Sequence, residues 1–165
     1  MRYNVEMPEL AVERRHPPDA LMRLVNPLMR RLVARGVGGS QVLVLHYRGR
    51  RSGRRFDTPA GYHRIDGRIL VFTNSPWRHN FTGGADLEVT LVGRRVPARA
   101  TLLPDPETVT GLYAGLFERL GWQAAERRLG VKVRVRRQPT RDELLAAVRD
   151  SHLSAVEVEV TGAGG

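Results

Sequence analysis

The alternation of apolar and polar side chains constrains the fold of this chain most, and it is clearest between residues 87 and 102. Apolar residues stand at every second position over 87–91 and again over 96–102, on either side of Gly93. Successive side chains of a strand point to opposite faces, so the pattern predicts two antiparallel strands that each bury one face. Pro97 cannot donate a backbone hydrogen bond, and we expect it at a sheet edge or a bulge.

Other short segments have the composition of strands. They are residues 42–47, 58–64, 68–73, 131–135 and 156–160. Asp66 and Gly67 stand between the second and the third of these segments and form a strong hairpin-turn signal. Closure of a sheet removes its exposed edges, and a series of short strands is typical of a closed or split barrel. We therefore predict an α+β fold, mainly β, with a split antiparallel β-barrel and its helices over residues 41–161.

A helical pattern precedes the strands. Residues 1–18 are polar and irregular, which is typical of a lead-in arm. Asp19 can cap a helix over residues 19–36, which Pro27 should kink and Gly36 should end. The apolar stripe of this helix favours packing in a core, but its four arginines also suit an anionic membrane surface.

Two further helices are predicted after the strands. Residues 105–107, Asp-Pro-Glu, combine a cap, a proline at the first helical position and an early acid, and they open a helix that reaches Leu120. We expect this helix to cover the barrel. A capping box over residues 140–143 opens the other helix. The chain has no low-complexity linker, so residues 1–165 are expected to form a single domain.

The composition excludes several kinds of function. Cysteine is absent, which removes disulfides, thiol catalysis and thiolate metal sites, and which fits a reducing cytoplasm. The five histidines do not have the spacing of a pair of metal ligands on a helix. No apolar run approaches the roughly 18 residues that span a bilayer, and the first residues lack the order of a signal peptide. These features predict a cytoplasmic protein.

The charge of the chain indicates an anionic ligand or partner. Twenty-seven basic residues against seventeen acidic ones give a net charge of +10, and every basic residue except Lys132 is an arginine. The planar guanidinium group suits phosphate and carboxylate groups.

The arginines are densest over residues 47–59, between two predicted strands, where five of them accompany a serine and two glycines. Gly49 and Gly53 permit tight turns with positive φ and a close approach of the backbone to a phosphate. Ser52 offers a hydroxyl donor, and the arginines offer charge-assisted hydrogen bonds. The segment predicts an anion cradle, and the alternative is a solvated hairpin turn that happens to be basic.

A second candidate is the loop over residues 73–81, which leaves a predicted strand. Trp77 supplies a flat aromatic face, while Asn74, Ser75 and Asn80 carry polar groups that could bond the edge of a heterocycle. The alternative role of a loop tryptophan is to close the end of a core.

The run from Gly49 to Pro59, followed by Asp66-Gly67, a strand and then Trp77-Arg-His-Asn80, resembles the deazaflavin-dependent nitroreductase family. The likeness in order and spacing covers roughly residues 20–120. That family is known for a split β-barrel shared with pyridoxamine-phosphate-oxidase-like flavoproteins. The resemblance implies binding of the deazaflavin coenzyme F-420, hydride transfer from its reduced form to a small-molecule acceptor (a quinone, enone or nitro compound), and assembly as a homodimer.

The resemblance also implies a set of cofactor contacts. The matching positions are Arg50, Arg51, Ser52, Gly53, Arg54, Arg55, Pro59, Ser75, Trp77 and Asn80. The basic positions would hold the phosphate and the glutamate tail, and Trp77 and Asn80 match the loop near the deazaflavin ring. Phe56 replaces an arginine of many relatives, so Arg55 would make that contact from the neighbouring position. No residue is singled out as catalytic, because the cofactor supplies the difficult chemistry.

Two alternatives remain open from the sequence. FMN also offers a phosphate to the basic turn, and a protein of the same fold could bind it. A non-enzymatic basic module that binds nucleic acid or an anionic membrane is the other alternative. Aromatic residues make up only 6% of the chain and do not interleave with the arginines, which argues against a stacking platform for single-stranded nucleic acid.

Overall fold

The computed structural model describes residues 10–14, 27 and 41–162. Its elements are β1 (Val12–Arg14), β2 (Val42–Arg48), β3 (Arg55–Gly61), β4 (His63–Ile65), β5 (Arg68–Thr73), a 3-10 helix (Pro76–Phe81), β6 (Ala85–Leu91), β7 (Arg94–Leu102), α1 (Pro106–Leu120), α2 (Trp122–Leu129), β8 (Val131–Val133), α3 (Arg141–Asp150) and β9 (Ser154–Val160). The predicted N-terminal helix over residues 19–36 lies outside the described residues, apart from Pro27.

The described elements fall into two compact units. One unit contains β2 to β7, the 3-10 helix and β9. The other contains β1, β8 and the three α-helices. The expectation that the helix of residues 105–120 covers the barrel stays a prediction, as does the single domain.

The first unit is a seven-stranded antiparallel sheet with the order β3-β2-β6-β7-β9-β5-β4. Gly61 pairs with Val42 at one edge of the sheet, and His63 pairs with Leu70 at the other edge. Only Tyr62 separates Gly61 from His63, and one residue spans no more than about 3.6 Å. The two edges therefore meet at Tyr62, and the sheet curls into the split antiparallel β-barrel that the sequence predicts.

The interior of this unit is built from one face of each strand. The alternating residues Leu43 and Leu45 of β2, Val89 of β6 and Val158 of β9 are buried in it. The complete buried cluster is Leu43, Leu45, Tyr47, Tyr62, Ile69, Val71, Phe81, Leu87, Val89, Ala98, Ala100, Val156 and Val158. The predicted alternation is thus confirmed, because each strand presents its apolar positions to the same interior.

The position of Pro97 differs from the expectation of an edge or a bulge. It lies in β7, an interior strand, and its carbonyl accepts a hydrogen bond of 3.0 Å from the N–H of Thr161, just beyond the end of β9. The N–H and C=O of one residue point to the same side of a strand. An N–H group at this position would therefore point to the place where β9 ends. At most one hydrogen bond, at the end of the ladder between β7 and β9, is lost.

Two strand boundaries also differ from the sequence predictions. The strand expected over residues 58–64 begins at Arg55 and is divided at Tyr62, since its two halves pair at opposite sheet edges. The short strand expected over residues 131–135 ends at Val133. It pairs with β1, which lies inside the stretch expected to be an irregular arm.

Two helices of the second unit, α1 and α3, begin as their sequences predict, whereas α2 was not predicted. Asp105 caps α1 by accepting a hydrogen bond of 3.0 Å from the N–H of Thr108. Thr140 and Glu143 form the capping box at the start of α3, with each side chain accepting from the backbone N–H of the other residue. In the described part of the chain, no helix is both long and apolar enough to cross a membrane.

Candidate functional site

The turn between β2 and β3 is closed by its own hydrogen bonds. The N–H of Gly49 donates to the carbonyl of Arg54 across 2.7 Å, and the N–H of Gly53 donates to the carbonyl of Gly49 across 2.8 Å. Ser52 Oγ accepts from the N–H of Arg54 across 3.2 Å, and Gly53 takes a φ of 65°. These hydrogen bonds join groups within the turn to one another, and the arginine side chains of the turn remain exposed.

Gly49 is needed for space, and the positive φ expected for it is wrong. A Cβ atom at this position would lie 2.7 Å from Cε2 of Phe56 and 2.9 Å from Oγ of Ser52. Both distances are shorter than the contact distance that a carbon atom keeps from atoms to which it is not bonded. The ring of Phe56 therefore lies directly against the backbone at the base of the turn.

Asn80, on the 3-10 helix, joins this turn to the loop after β5. Its Oδ1 atom accepts a hydrogen bond of 2.8 Å from the backbone N–H of Arg50, and its Nδ2 atom donates to the carbonyl of Trp77 across 2.8 Å. A guanidinium nitrogen of Arg50 also reaches the carbonyl of His79 at 3.4 Å. The two segments singled out from the sequence are thus held together by one amide side chain.

A cleft of about 840 Å³, here named the arginine cleft, opens between the two segments. Its lining residues are Gly49, Arg50, Arg51, Ser52, Phe56, Pro76, His79, Asn80 and Thr82. Four predicted cofactor contacts meet here, namely Arg50, Arg51, Ser52 and Asn80. The other six do not line it: Gly53, Arg54, Arg55, Pro59, Ser75 and Trp77. Their role as cofactor contacts stays a prediction.

The arginines of the turn are exposed and carry little internal pairing. Arg48 donates to the carbonyl of Gly53 across 3.2 Å. Within residues 10–14, 27 and 41–162, the guanidinium groups of Arg51, Arg54 and Arg55 meet no carboxylate. An anion that entered the arginine cleft would therefore meet the guanidinium group of Arg51, which forms no ion pair with a described residue.

Trp77 packs inward. It is partly buried against the barrel interior, and its ring makes an edge contact with Phe81 at a centroid distance of 6.0 Å. Ser75 begins the 3-10 helix, and its N–H donates to Thr73 Oγ1 across 3.0 Å. The arrangement matches the alternative considered for a loop tryptophan, which is closure of the end of a core.

The sequence analysis missed Phe56 as a site residue. Its ring is 40% exposed and lines the arginine cleft, although the sequence marked it only as a departure from related proteins. The signal that could have revealed it is an aromatic residue next to five arginines, because such a residue adds a flat apolar surface to a group of cations.

A second cleft of about 520 Å³ shares Phe56 and Asn80 with the arginine cleft. His46 lines it and links three strands through its two ring nitrogens. Nδ1 lies 2.7 Å from Oδ1 of Asp57 on β3, and Nε2 lies 2.7 Å from Oγ1 of Thr90 on β6. Two predicted cofactor contacts, Arg55 and Asn80, line this second cleft.

Burial shifts the pKa values of two residues near the arginine cleft. Desolvation raises the pKa of Tyr47, and a hydrogen bond with Thr58 at 3.1 Å partly opposes the rise. Desolvation lowers the pKa of Arg78, whose guanidinium group donates to the carbonyls of Asn74 and Ser75. Among the described residues, no three acidic or histidine side chains converge as a metal site would require. The cleft can hold an anion next to an apolar ring, and His79 is also among its lining residues.

Comparison with known proteins gives only distant likeness. No protein-family model and no curated protein matches the sequence. One similar solved structure is described as a domain-swapped dimer, with 13% identity, 84% of this chain and 98% of that chain covered, and a TM-score of 0.40. Another is the FAD and heme binding protein from Mycobacterium smegmatis, with 17% identity, 81% and 71% coverage, and a TM-score of 0.39. Likeness at this level does not define a family or a ligand for the chain.

Proposed function

We propose that the chain is an oxidoreductase that binds the deazaflavin coenzyme F-420 in the arginine cleft and uses its reduced form to transfer hydride to a quinone, enone or nitro compound. The observation that carries the proposal is the meeting of cations and an exposed aromatic ring in one cleft. Arg51 and Ser52 offer charge and a hydroxyl donor, and Phe56 and Pro76 offer apolar surface.

The residues of the cleft fit such a coenzyme in three ways. Arg50 and Arg51 would bind its phosphate, with the hydroxyl of Ser52 as a further donor. Phe56 and Pro76 would lie along its planar ring and keep water from one side of it. Asn80 acts through Arg50, since it holds the turn in place and its side chain is already hydrogen-bonded at both ends.

The coenzyme supplies the hydride when it is bound in its reduced form. The protein then needs to bind the anionic part, orient the ring and admit the acceptor next to it. This division of labour agrees with a cleft that joins cations to apolar walls.

FMN is the alternative ligand, because it joins a phosphate and a planar ring in a smaller molecule. A fluorescence titration of the protein with oxidised coenzyme F-420 and with FMN, at low and at high salt, separates the two. The matched pair of variants is Arg51→Ala, inside the cleft, and Arg94→Ala, an exposed arginine at the start of β7 that lies outside it.

We expect saturable binding of coenzyme F-420 that weakens about tenfold or more in Arg51→Ala, since one charge-assisted hydrogen bond is lost. Arg94→Ala should bind as the wild type does. If FMN binds more tightly than coenzyme F-420, FMN takes the place of the coenzyme as the proposed ligand. If neither ring binds and nucleic acid or anionic vesicles bind with a steep dependence on salt, the basic-module alternative is correct.

A further inference from the structure

Phe56 is the aromatic residue that the described chain leaves most exposed. Three large apolar side chains are exposed among the described residues, and the other two, Val92 and Val160, are not aromatic. Phe56 lies on β3, one residue after the arginine turn, and it lines both the arginine cleft and the second cleft. Its ring therefore offers apolar surface to both clefts.

The ring of Phe56 is held on one face. Tyr47 stacks on it with a centroid distance of 5.6 Å and an interplanar angle of 23°. Tyr47 is itself buried, packs edge-on against Phe81 at 5.1 Å, and hydrogen-bonds Thr58 through its hydroxyl. Gly49 lies against one edge of the Phe56 ring. The exposure of the ring therefore lies on the face that Tyr47 does not cover.

Part of the Phe56 ring is open to solvent, and no arginine of the described residues lies over it. The arginine that lies over an aromatic ring is Arg64, and it lies over Tyr62 at 6.0 Å. The arginines beside Phe56 leave its ring free of such a contact within residues 41–162. A flat, fixed, apolar surface next to cations is what a planar heteroaromatic ring attached to a phosphate-bearing chain requires.

We propose that Phe56 determines ligand specificity by stacking its open face on the planar heteroaromatic ring of the ligand while Arg51 holds the phosphate. The inference rests on the proposed function for the identity of that ring, and it assigns the ring to Phe56 where the resemblance implies Trp77. It also predicts that the protein binds a phosphate with an attached aromatic ring more tightly than a phosphate without one, because only the ring contacts Phe56.

The test uses two variants of Phe56 and four probes. Phe56→Leu keeps an apolar side chain but removes the ring, and Phe56→Trp keeps a ring and reports its surroundings by fluorescence. The probes are coenzyme F-420, FMN, AMP and ribose 5-phosphate, and the last of these has no aromatic ring. Thermal unfolding of each variant shows whether the fold is retained.

We expect Phe56→Leu to weaken binding of the ring-bearing probes about three- to tenfold and to leave ribose 5-phosphate unchanged. Phe56→Trp should bind the same probes within about threefold of the wild type, and the fluorescence of the added tryptophan should be quenched in the complex.

The outcomes separate this inference from the proposed function. Equal binding of coenzyme F-420 by the wild type and Phe56→Leu overturns the stacking role, and the proposed function then stands on the loss of binding in Arg51→Ala. Binding of AMP alone, with loss in Phe56→Leu, supports the stacking role and contradicts the proposed cofactor. Failure of every ring-bearing probe to bind the wild type overturns both.

Discussion

The backbone N–H of Arg50 donates a hydrogen bond of 2.8 Å to Oδ1 of Asn80, thirty positions later in the chain. The other end of the same amide donates to the carbonyl of Trp77. Asn80 therefore sets the distance between the arginine turn and the 3-10 helix, which form two walls of the arginine cleft.

Asn80→Ala should lower both stability and affinity. It leaves the N–H of Arg50 and the carbonyl of Trp77 without their partner, and we expect a loss of about 1–2 kcal/mol in the free energy of unfolding. Binding of coenzyme F-420 should weaken about tenfold because the two walls separate. Urea unfolding and fluorescence titration measure the two effects. If the variant equals the wild type in stability and affinity, contacts other than those of Asn80 hold the two walls in place.

His46 is expected to stabilise the barrel through Thr90, whose side chain is almost fully buried. His46→Ala leaves this hydroxyl without its partner and should lower the free energy of unfolding by about 1–3 kcal/mol. The double variant His46→Ala/Thr90→Val should be less destabilised than the sum of the two single variants, since no buried group is then orphaned. Strict additivity in this double-mutant cycle would contradict the contact.

Val92→Asn should stabilise the hairpin between β6 and β7. Val92 and Gly93 form a two-residue turn in which both φ angles are positive, 48° and 74°, and Val92 is 60% exposed. A β-branched residue is strained at this backbone conformation, which asparagine tolerates. We expect a gain of about 1 kcal/mol, measured as a higher unfolding temperature, and a smaller gain in the control Val92→Ala. A lower unfolding temperature for Val92→Asn would rule out strain at this turn.

Glu143 should make stability depend on pH in acid. The hydrogen bond from Arg137 and the backbone N–H of Thr140 hold the pKa of Glu143 at about 2, below its ordinary 4.5. Because the pKa is lower in the folded chain, the stabilisation is complete above pH 4.5 and is lost as the pH falls through about 2.

The loss should be modest, at most about 1 kcal/mol, because the pair is near the surface and solvent screens it. Glu143→Gln keeps a side-chain acceptor for the cap but has no charge to lose, and its stability between pH 6 and pH 2.5 should vary less than that of the wild type. Unfolding in urea at several pH values provides the comparison. Parallel curves for the two proteins would assign the acid dependence to other groups.

The fold class and most of its elements could be predicted from the sequence because they depend on local determinants. The alternation over residues 87–102 reflects the two-residue period of a strand, and the caps at Asp105 and Thr140 satisfy N–H groups only a few positions away. The density of arginines in one turn likewise singled out the turn whose residues line the arginine cleft.

Tertiary structure alone decided which of the predicted site residues face the same space. Trp77 and Phe56 are both aromatic residues beside polar segments, and no local rule says that the first packs inward on Phe81 while the second remains open. The pairing of β1 with β8 joins two segments that lie far apart in the sequence. Such choices depend on strand register and on packing between residues far apart in sequence, and only the folded chain brings those residues into contact.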